Sequence, residues 1–295
     1  TLLVSFLGII LATILGFIIG IARLSNNWLI AKIATVYIET FRNIPLLLQI
    51  LFWYFAMLPL LPHPRQSVNF GEAFFLNSRG LYLPAPLFES AFLWVLATLF
   101  VAIIAVVILV RWAHRRQAAT GQPFHTFWVS LAILVALPAA AFVITGMPLD
   151  WDLPELKGFN FRGGMTIIPE LAALLLALSI YTAAFIAEIV RSGIQAVSHG
   201  QTEAAYSLGL RPGKTLQLVI IPQAMRVIIP QLTSQYLNLT KNSSLAAAVG
   251  YPDLVAVFAG TTLNQTGQAV EIIFMTMMVY LTISLLISLF MNWYN

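Results

Sequence analysis

Residues 188–245 read EIVRSGIQAVSHGQTEAAYSLGLRPGKTLQLVIIPQAMRVIIPQLTSQYLNLTKNSSL, the longest break in an otherwise apolar chain. The first part of the stretch keeps helical periodicity. Gln201-Thr202-Glu203-Ala204-Ala205 opens a helix, and Gly209 stands where that helix needs a left-handed C-terminal residue. Arg211-Pro212-Gly213 turns the chain. Residues 214–221 can form a second short helix, and Pro222 restarts the chain into lipid. Two short helices at an angle make a knob with Glu203 exposed for a charged contact. A polar helical hairpin carried between membrane spans suggests a docking element for a soluble partner. The plainer alternative is an ordinary amphipathic loop, which needs no particular residues.

The surrounding composition fixes the solvent. The chain is 60% hydrophobic and only 9% charged, with a mean hydropathy of +0.88. Soluble domains carry roughly 25% charged residues, so this is an integral membrane protein. Apolar runs of about 20 residues call for helices rather than a barrel, because a helix satisfies its own backbone in lipid. The absence of cysteine excludes disulfides and thiolate metal sites.

Seven spans are expected, at residues 2–22, 45–61, 90–110, 127–146, 167–187, 222–240 and 271–291. Gly16 and Gly20 make a small-xxx-small pattern in the first, which either lets another helix approach closely or reflects only the frequency of glycine in membrane helices. Residues 24–43 read as a helix entering the bilayer obliquely, and Pro230 is expected to kink the sixth span. Residues 241–267 read as a partly re-entrant connection, and residues 62–86 and 147–166 as loops. The corresponding division is 1–61 for the N-terminal spans, 62–166 for loops and an inserted two-span hairpin, and 167–295 for the remaining core. Thr1 already lies inside an apolar run with no signal-peptide pattern, so further upstream residues, including a span, are expected. Alternating loops place nine basic residues on one side (Arg23, Lys32, Arg42, Arg111, Arg115, Arg116, Arg191, Arg211, Lys214) against four on the other (Arg65, Arg79, Lys157, Arg162). Positive charge stays inside, which puts the polar hairpin in the cytoplasm.

The spacing of Glu203-Ala204-Ala205, Gly209 and Ile221-Pro222 resembles the EAA loop of ABC importer permeases. Tyr181–Glu188, Arg191-Ser-Gly-Ile194, Pro222–Arg226 and Lys241–Leu245 resemble the polar amino-acid subfamily, as do Arg23-Leu-Ser25 and Tyr37–Leu47. The inserted hairpin with Arg111-Trp-Ala-His-Arg-Arg-Gln looks like the Q-type permease of general L-amino-acid importers. The resemblance implies an all-α, MetI-like type I importer bundle in the bacterial inner membrane. It also implies a second, different permease chain, two cytoplasmic ATPase subunits docked on the EAA loops, and a periplasmic amino-acid-binding protein. ATP and magnesium would be held by the ATPases, not by this chain. Glu203, Ala204, Ala205, Gly209, Leu210, Arg211 and Pro222 would carry the coupling, by movement between two rigid packings.

Other patterns carry less. Gly209-Leu-Arg-Pro-Gly213-Lys214-Thr215 has three residues where a P-loop needs four, and lies on a helical turn rather than after a strand. His63, His114, His125 and His199 are scattered without a metal-ligand spacing, and no catalytic constellation or nucleic-acid motif is present. The glycosylation patterns at Asn238 and Asn242 are accidental. Asn238, Thr240, Lys241, Asn242 and Ser243 form a polar patch at membrane depth, where an ionisable group usually faces a cavity. That patch is a candidate substrate path, with Lys241 able to meet an α-carboxylate. The alternative has Lys241 snorkelling or bonding helix-end carbonyls. Glu188 and Arg191 are one turn apart and suit a structural ion pair. A secondary transporter would need paired intramembrane acids or an inverted repeat, and neither is found. A scaffold half with no substrate site of its own stays open.

Overall fold

The computed structural model describes residues 1–71 and 73–294, and the chain divides into two units. One holds residues 1–63, 77–80 and those from 167 onward; the other holds 64–76 and 81–166. The helices are α1 (Leu2–Arg23), α2 (Trp28–Asn43), α3 (Leu46–Leu51), α4 (Phe92–Thr120), α5 (Thr126–Ile144) and α6 (Pro169–Gln195). They continue with α7 (His199–Ser207), α8 (Pro212–Thr215), α9 (Ile221–Asn242), α10 (Leu263–Thr266) and α11 (Ala269–Tyr294).

Among the described residues, six helical stretches are long and apolar enough to cross a bilayer: α1, α4, α5, α6, Pro212–Val249 and Ala269–Trp293. The seventh expected span, 45–61, is not a straight helix. It is the second limb of a pair, Trp28–Asn43 and Leu46–Leu60, bent by 104°. Pro45 is the cause. It has no N–H to continue α2, and it forces Ile44 into extended backbone (φ −97°, ψ 128°). The carbonyls freed at the end of α2 find a donor in Gln49, which is buried. Its Nε2 donates to Phe41 O at 3.1 Å and Ile44 O at 3.0 Å.

Helix α6 is the axis of the first unit, with 67% of its apolar window buried. Alanines and other small residues let neighbours come close. A methyl on Gly16 would sit 2.5 Å from Ile186 Cγ2, and one on Gly20 would sit 2.7 Å from the Ala187 carbonyl oxygen. The two helices are therefore in near-backbone contact, as the small-xxx-small pattern of α1 predicts. Two apolar clusters run along α6. Leu174 and Leu178 pack with Val4, Leu46, Ile50 and Val249, while Ile186 and Val190 pack with Ala12, Ile228, Leu232 and Leu239. Polar bonds pin the same contacts: Tyr37 OH donates to Ile180 O at 2.8 Å. Thr13 spends its proton on Ile9 O, so Tyr236 OH is the donor in their 2.9 Å bond.

Pro222 does not restart the chain as expected. It is the second residue of α9, within one helical stretch that runs from Pro212 to Val249. The turn before it, Leu216–Ile220, is a π-helix. Its wider ring accommodates a proline that cannot donate to the preceding turn. Helix α9 also runs unbroken through Pro230. The connection after it is a 3-10 turn, Ser243–Val249, then a π-helical segment, Ala256–Thr262, leading through α10 to α11.

The second unit contains structure that polar loops do not announce. Strands β1 (Val68–Phe70), β2 (Phe74–Asn77), β3 (Gly80–Leu83) and β8 (Met165–Ile167) form one sheet in the order β1-β2-β3-β8. Strand β4 (Ala85–Phe88) pairs antiparallel with β5 (Leu149–Asp152), and β6 (Glu155–Lys157) with β7 (Asn160–Arg162). Phe161 is buried between Phe75 and Tyr82, with ring centroids 4.6 and 4.8 Å away. Strands of three or four residues are too short for alternation to register in the sequence, which is why residues 62–86 and 147–166 read as loops. Helices α4 and α5 pack on each other, yet even so their apolar stretches are only 6% and 0% buried.

The contact of α1 with α6 yields a graded prediction. Gly20→Val should destabilise the first unit by about 1–3 kcal/mol, because the nearest opposing atom is backbone. Gly8→Ala should be tolerated, since the nearest atom, Leu239 Cδ2 at 3.2 Å, ends a flexible side chain. Reversible unfolding in mixed detergent micelles would measure both.

Candidate functional site

The polar hairpin of residues 198–222 is built from α7, a turn and α8. Helix α7 ends in a Schellman motif: Leu210 N–H donates to Ala205 O at 3.1 Å, and Gly209 N–H donates to Tyr206 O at 2.9 Å. Gly209 has φ +76°, so only glycine enters that conformation without strain. Ala205 is the buried residue of α7 and Thr215 that of α8. The other faces are open. Glu203 has 70% of its side chain exposed, Ala204 lies beside it, and Leu208 is 82% exposed. The Glu203-Ala204-Ala205 run is therefore split, with two residues outward and one anchoring the helix. His199 Nδ1 lies 3.1 Å from Glu203 Oε1 on the same helix face. Gln223 Nε2 donates to Gln201 Oε1 at 3.3 Å and ties α7 to the start of α9. Leu210 is half-buried, whereas Arg211, which caps α8, and Pro222 are exposed.

The hairpin hangs from the end of α6, and that end is held by charge. Glu188 accepts from Arg191 on its own helix and from Arg23 at the end of α1. Arg23 Nη2 is also 3.6 Å from Glu39 of α2, and Arg42 lies 5.2 Å from the centre of the Phe185 ring. One carboxylate thus joins α1 to α6, with α2 held through the same arginine. The Glu188–Arg191 pair follows from i, i+3 spacing. Arg23 is 165 positions away from Glu188, and only the close packing of α1 on α6 brings it there.

The polar patch at the end of α9 does not gather into one surface. Thr240 and Ser243 are buried, with hydroxyls spent on Tyr236 O at 2.9 Å and Thr240 O at 2.8 Å. Asn238 is exposed and Asn242 half-buried. Lys241 does reach a cavity of about 560 Å³, walled by Ser244, Val255 and Ala259 and by the α11 residues Thr276, Tyr280 and Ser284. The ammonium group has no ion-pair or hydrogen-bond partner among the described residues. Opposite, Tyr280 OH donates to the buried Asp253 Oδ2 at 3.3 Å, while Asp253 Oδ1 accepts from Ala256 N–H at 2.8 Å. Thr276, Tyr280 and Ser284 recur at intervals of four along α11, so they share one helix face, and that spacing is the signal in the sequence that could have found them.

A family described as "Binding-protein-dependent transport system inner membrane component" matches residues 122–295, which include the hairpin, α9 and the cavity wall. The chain belongs to that family of permeases. Three relatives extend the likeness beyond the matched region. The permease is 58% identical, over its whole length and 74% of the relative's, to "General L-amino acid transport system permease protein AapQ" of Rhizobium johnstonii. It is 60% identical, over its whole length and 75% of the relative's, to "Putative amino-acid ABC transporter permease protein YhdX" of Escherichia coli. Over 93% of its length it is 50% identical to 71% of "Glutamate/glutamine/aspartate/asparagine transport system permease protein BztB" of Rhodobacter capsulatus. Among solved structures, "Crystal structure of an amino acid ABC transporter with histidines" shares the fold with a TM-score of 0.56 at 21% identity. That match covers 99% of the permease and 87% of the solved chain.

Two substitutions test how the permease holds its hairpin. Gly209→Ala should cost about 1 kcal/mol through the left-handed backbone, seen as faster amide exchange confined to α7 and the following turn. Glu188→Gln leaves Arg23 and Arg191 without their carboxylate and should cost on the order of 2 kcal/mol, with Arg23→Gln giving no further loss in the double variant. Unfolding titrations of the single and double variants measure that coupling.

Proposed function

We propose that this permease is one half of the membrane path of an ATP-driven importer that moves amino acids from the periplasm to the cytoplasm across a bacterial inner membrane. The second half is a different homologous permease. Two cytoplasmic ATPase subunits, which bind ATP and magnesium, dock on the hairpins, and a periplasmic binding protein supplies the amino acid. Chemistry on ATP belongs to the ATPases, and this chain performs none.

The observation that carries the reading is the build of the hairpin. Glu203 and Ala204 face outward on a short helix closed at Gly209, and the helical stretch from Pro212 to Val249 leads from that knob to the turn bearing Lys241. A push on α7 acts on α8 through the turn at Leu210 and Arg211. From there it travels along one continuous helical rod, in which the π-turn ahead of Pro222 keeps the helix unbroken. Displacing a rigid element is how such transporters switch between two packings. Glu203, Ala204, Ala205, Gly209, Leu210, Arg211 and Pro222 therefore have coupling roles: docking contact, helix closure and transmission.

Of the candidate path residues Asn238, Thr240, Lys241, Asn242 and Ser243, Lys241 is the one that lines the cavity, and the others flank it in the chain. Lys241 offers an unpaired cation to an α-carboxylate at the cavity, while Thr240 and Ser243 hold the end of α9 in shape. The amino-acid names of the relatives at 50–60% identity agree with a zwitterionic cargo.

In proteoliposomes with the ATPases and binding protein, Glu203→Lys should abolish coupled uptake and weaken ATPase retention on a permease that still inserts. A variant complex that purifies intact with normal stimulated ATP hydrolysis would refute the coupling role. Lys241→Ala should raise the half-saturating amino-acid concentration at least about tenfold, the worth of a charge-assisted hydrogen bond. Unchanged affinity would remove Lys241 from the path.

A further inference from the structure

The hairpin of α4 and α5 takes no part in the coupling element or the cavity, and its chemistry is one-sided. From Ser90 to Leu149 the chain has no aspartate or glutamate, while Arg111, His114, Arg115 and Arg116 lie in the last three turns of α4 and His125 directly precedes α5. Helix α4 starts at Phe92, and 20 residues at 1.5 Å rise consume the ~30 Å hydrocarbon core, so Arg111 emerges at headgroup depth. Trp112, next to Arg111 in the chain, is 47% exposed, as suits an indole at the interface. Arg116 is occupied, lying 5.4 Å from the Trp112 ring centre and 5.8 Å from that of Phe124. Arg111 and Arg115 are both exposed, and among the described residues neither meets a carboxylate.

Those two arginines are one turn apart and continue a stripe. Phe100, Ile104 and Ile108 recur at intervals of four along α4, all exposed, and Arg111 and Arg115 extend the same face. The face is thus apolar over the acyl region and doubly cationic at the level of phosphates, with nothing acidic in the hairpin to neutralise it. We propose that this face of α4 is a binding site for an anionic phospholipid, its acyl chains along Phe100, Ile104 and Ile108 and its phosphate between Arg111 and Arg115. Juxtamembrane arginines attract anionic headgroups, each by about fivefold in affinity, so removing both should weaken binding about 25-fold. A zwitterionic lipid gains nothing comparable, because its own ammonium opposes the arginines.

The test uses the assembled importer in nanodiscs of phosphatidylcholine doped with phosphatidylglycerol. Wild-type complex should carry phosphatidylglycerol through delipidation, read by native mass spectrometry, and the Arg111→Gln/Arg115→Gln variant should lose it. Arg111→Lys/Arg115→Lys keeps the charge, and so the topology signal, and should retain most of the lipid. A photo-crosslinking residue at Ile104 distinguishes occupants: adducts with phosphatidylglycerol support the site, whereas adducts with the second permease would overturn it. Equal retention of phosphatidylglycerol and phosphatidylcholine, or equal retention by wild type and the lysine variant in which Ile104→Arg blocks the acyl stripe, would also overturn it.

Discussion

The near-contact of α1 with α6 at Gly16 and Gly20 is the constraint on which the first unit rests. Lipid offers no hydrophobic drive for helices to associate, so packing must come from surfaces that fit at short range. Removing side chains from one face of α1 lets Ile186 and Val190 of α6 settle against backbone. That approach has a consequence at the end of both helices. It carries Arg23 to Glu188, and the carboxylate becomes shared between Arg23 and Arg191. The ion network is a product of the glycine contact as much as an independent clamp, and the two should fail together.

Helix α9 solves the opposite problem. It must bear two prolines, Pro222 and Pro230, and still act as a rod from hairpin to cavity. A π-turn before Pro222 widens the helix where a donor is missing, so the stretch stays continuous. At Pro45 no such turn intervenes and the chain folds through 104° instead. Similar local chemistry thus gives a stiff rod in one place and a sharp bend in the other. The difference lies in what can receive the orphaned carbonyls. The side chain of Gln49 reaches back for them at the bend.

Much of this is legible in the sequence alone. Hydropathy marks the spans, since a membrane allows few alternatives, and Gly209 announces its helix end because left-handed backbone narrows the choice of residue. The spacing from Glu203 to Pro222 singles out the hairpin. Local rules could not supply partners distant in sequence, such as Arg23 for Glu188 or Tyr280 for Asp253. The cost of an ionisable group at membrane depth points Lys241 to a cavity, but nothing local says that Thr240 and Ser243 beside it turn inward to backbone carbonyls. Pro222 misled because a proline in isolation reads as a break, and the compensating π-turn depends on unremarkable residues, Leu216 to Ile220. The short strands were invisible for want of length.

The ladder between β4 and β5 has one more consequence. Phe88 and Leu149 face each other as partners in that ladder, so the chain enters and leaves the two-helix insert at adjacent points. Sixty residues between paired ends add little to the closure entropy, because the cost grows only logarithmically with loop length. The insert is therefore a cassette: a short turn joining residue 88 to 149 would close the same ladder. A chain built this way can gain, lose or exchange a membrane hairpin without re-registering the strands that frame it.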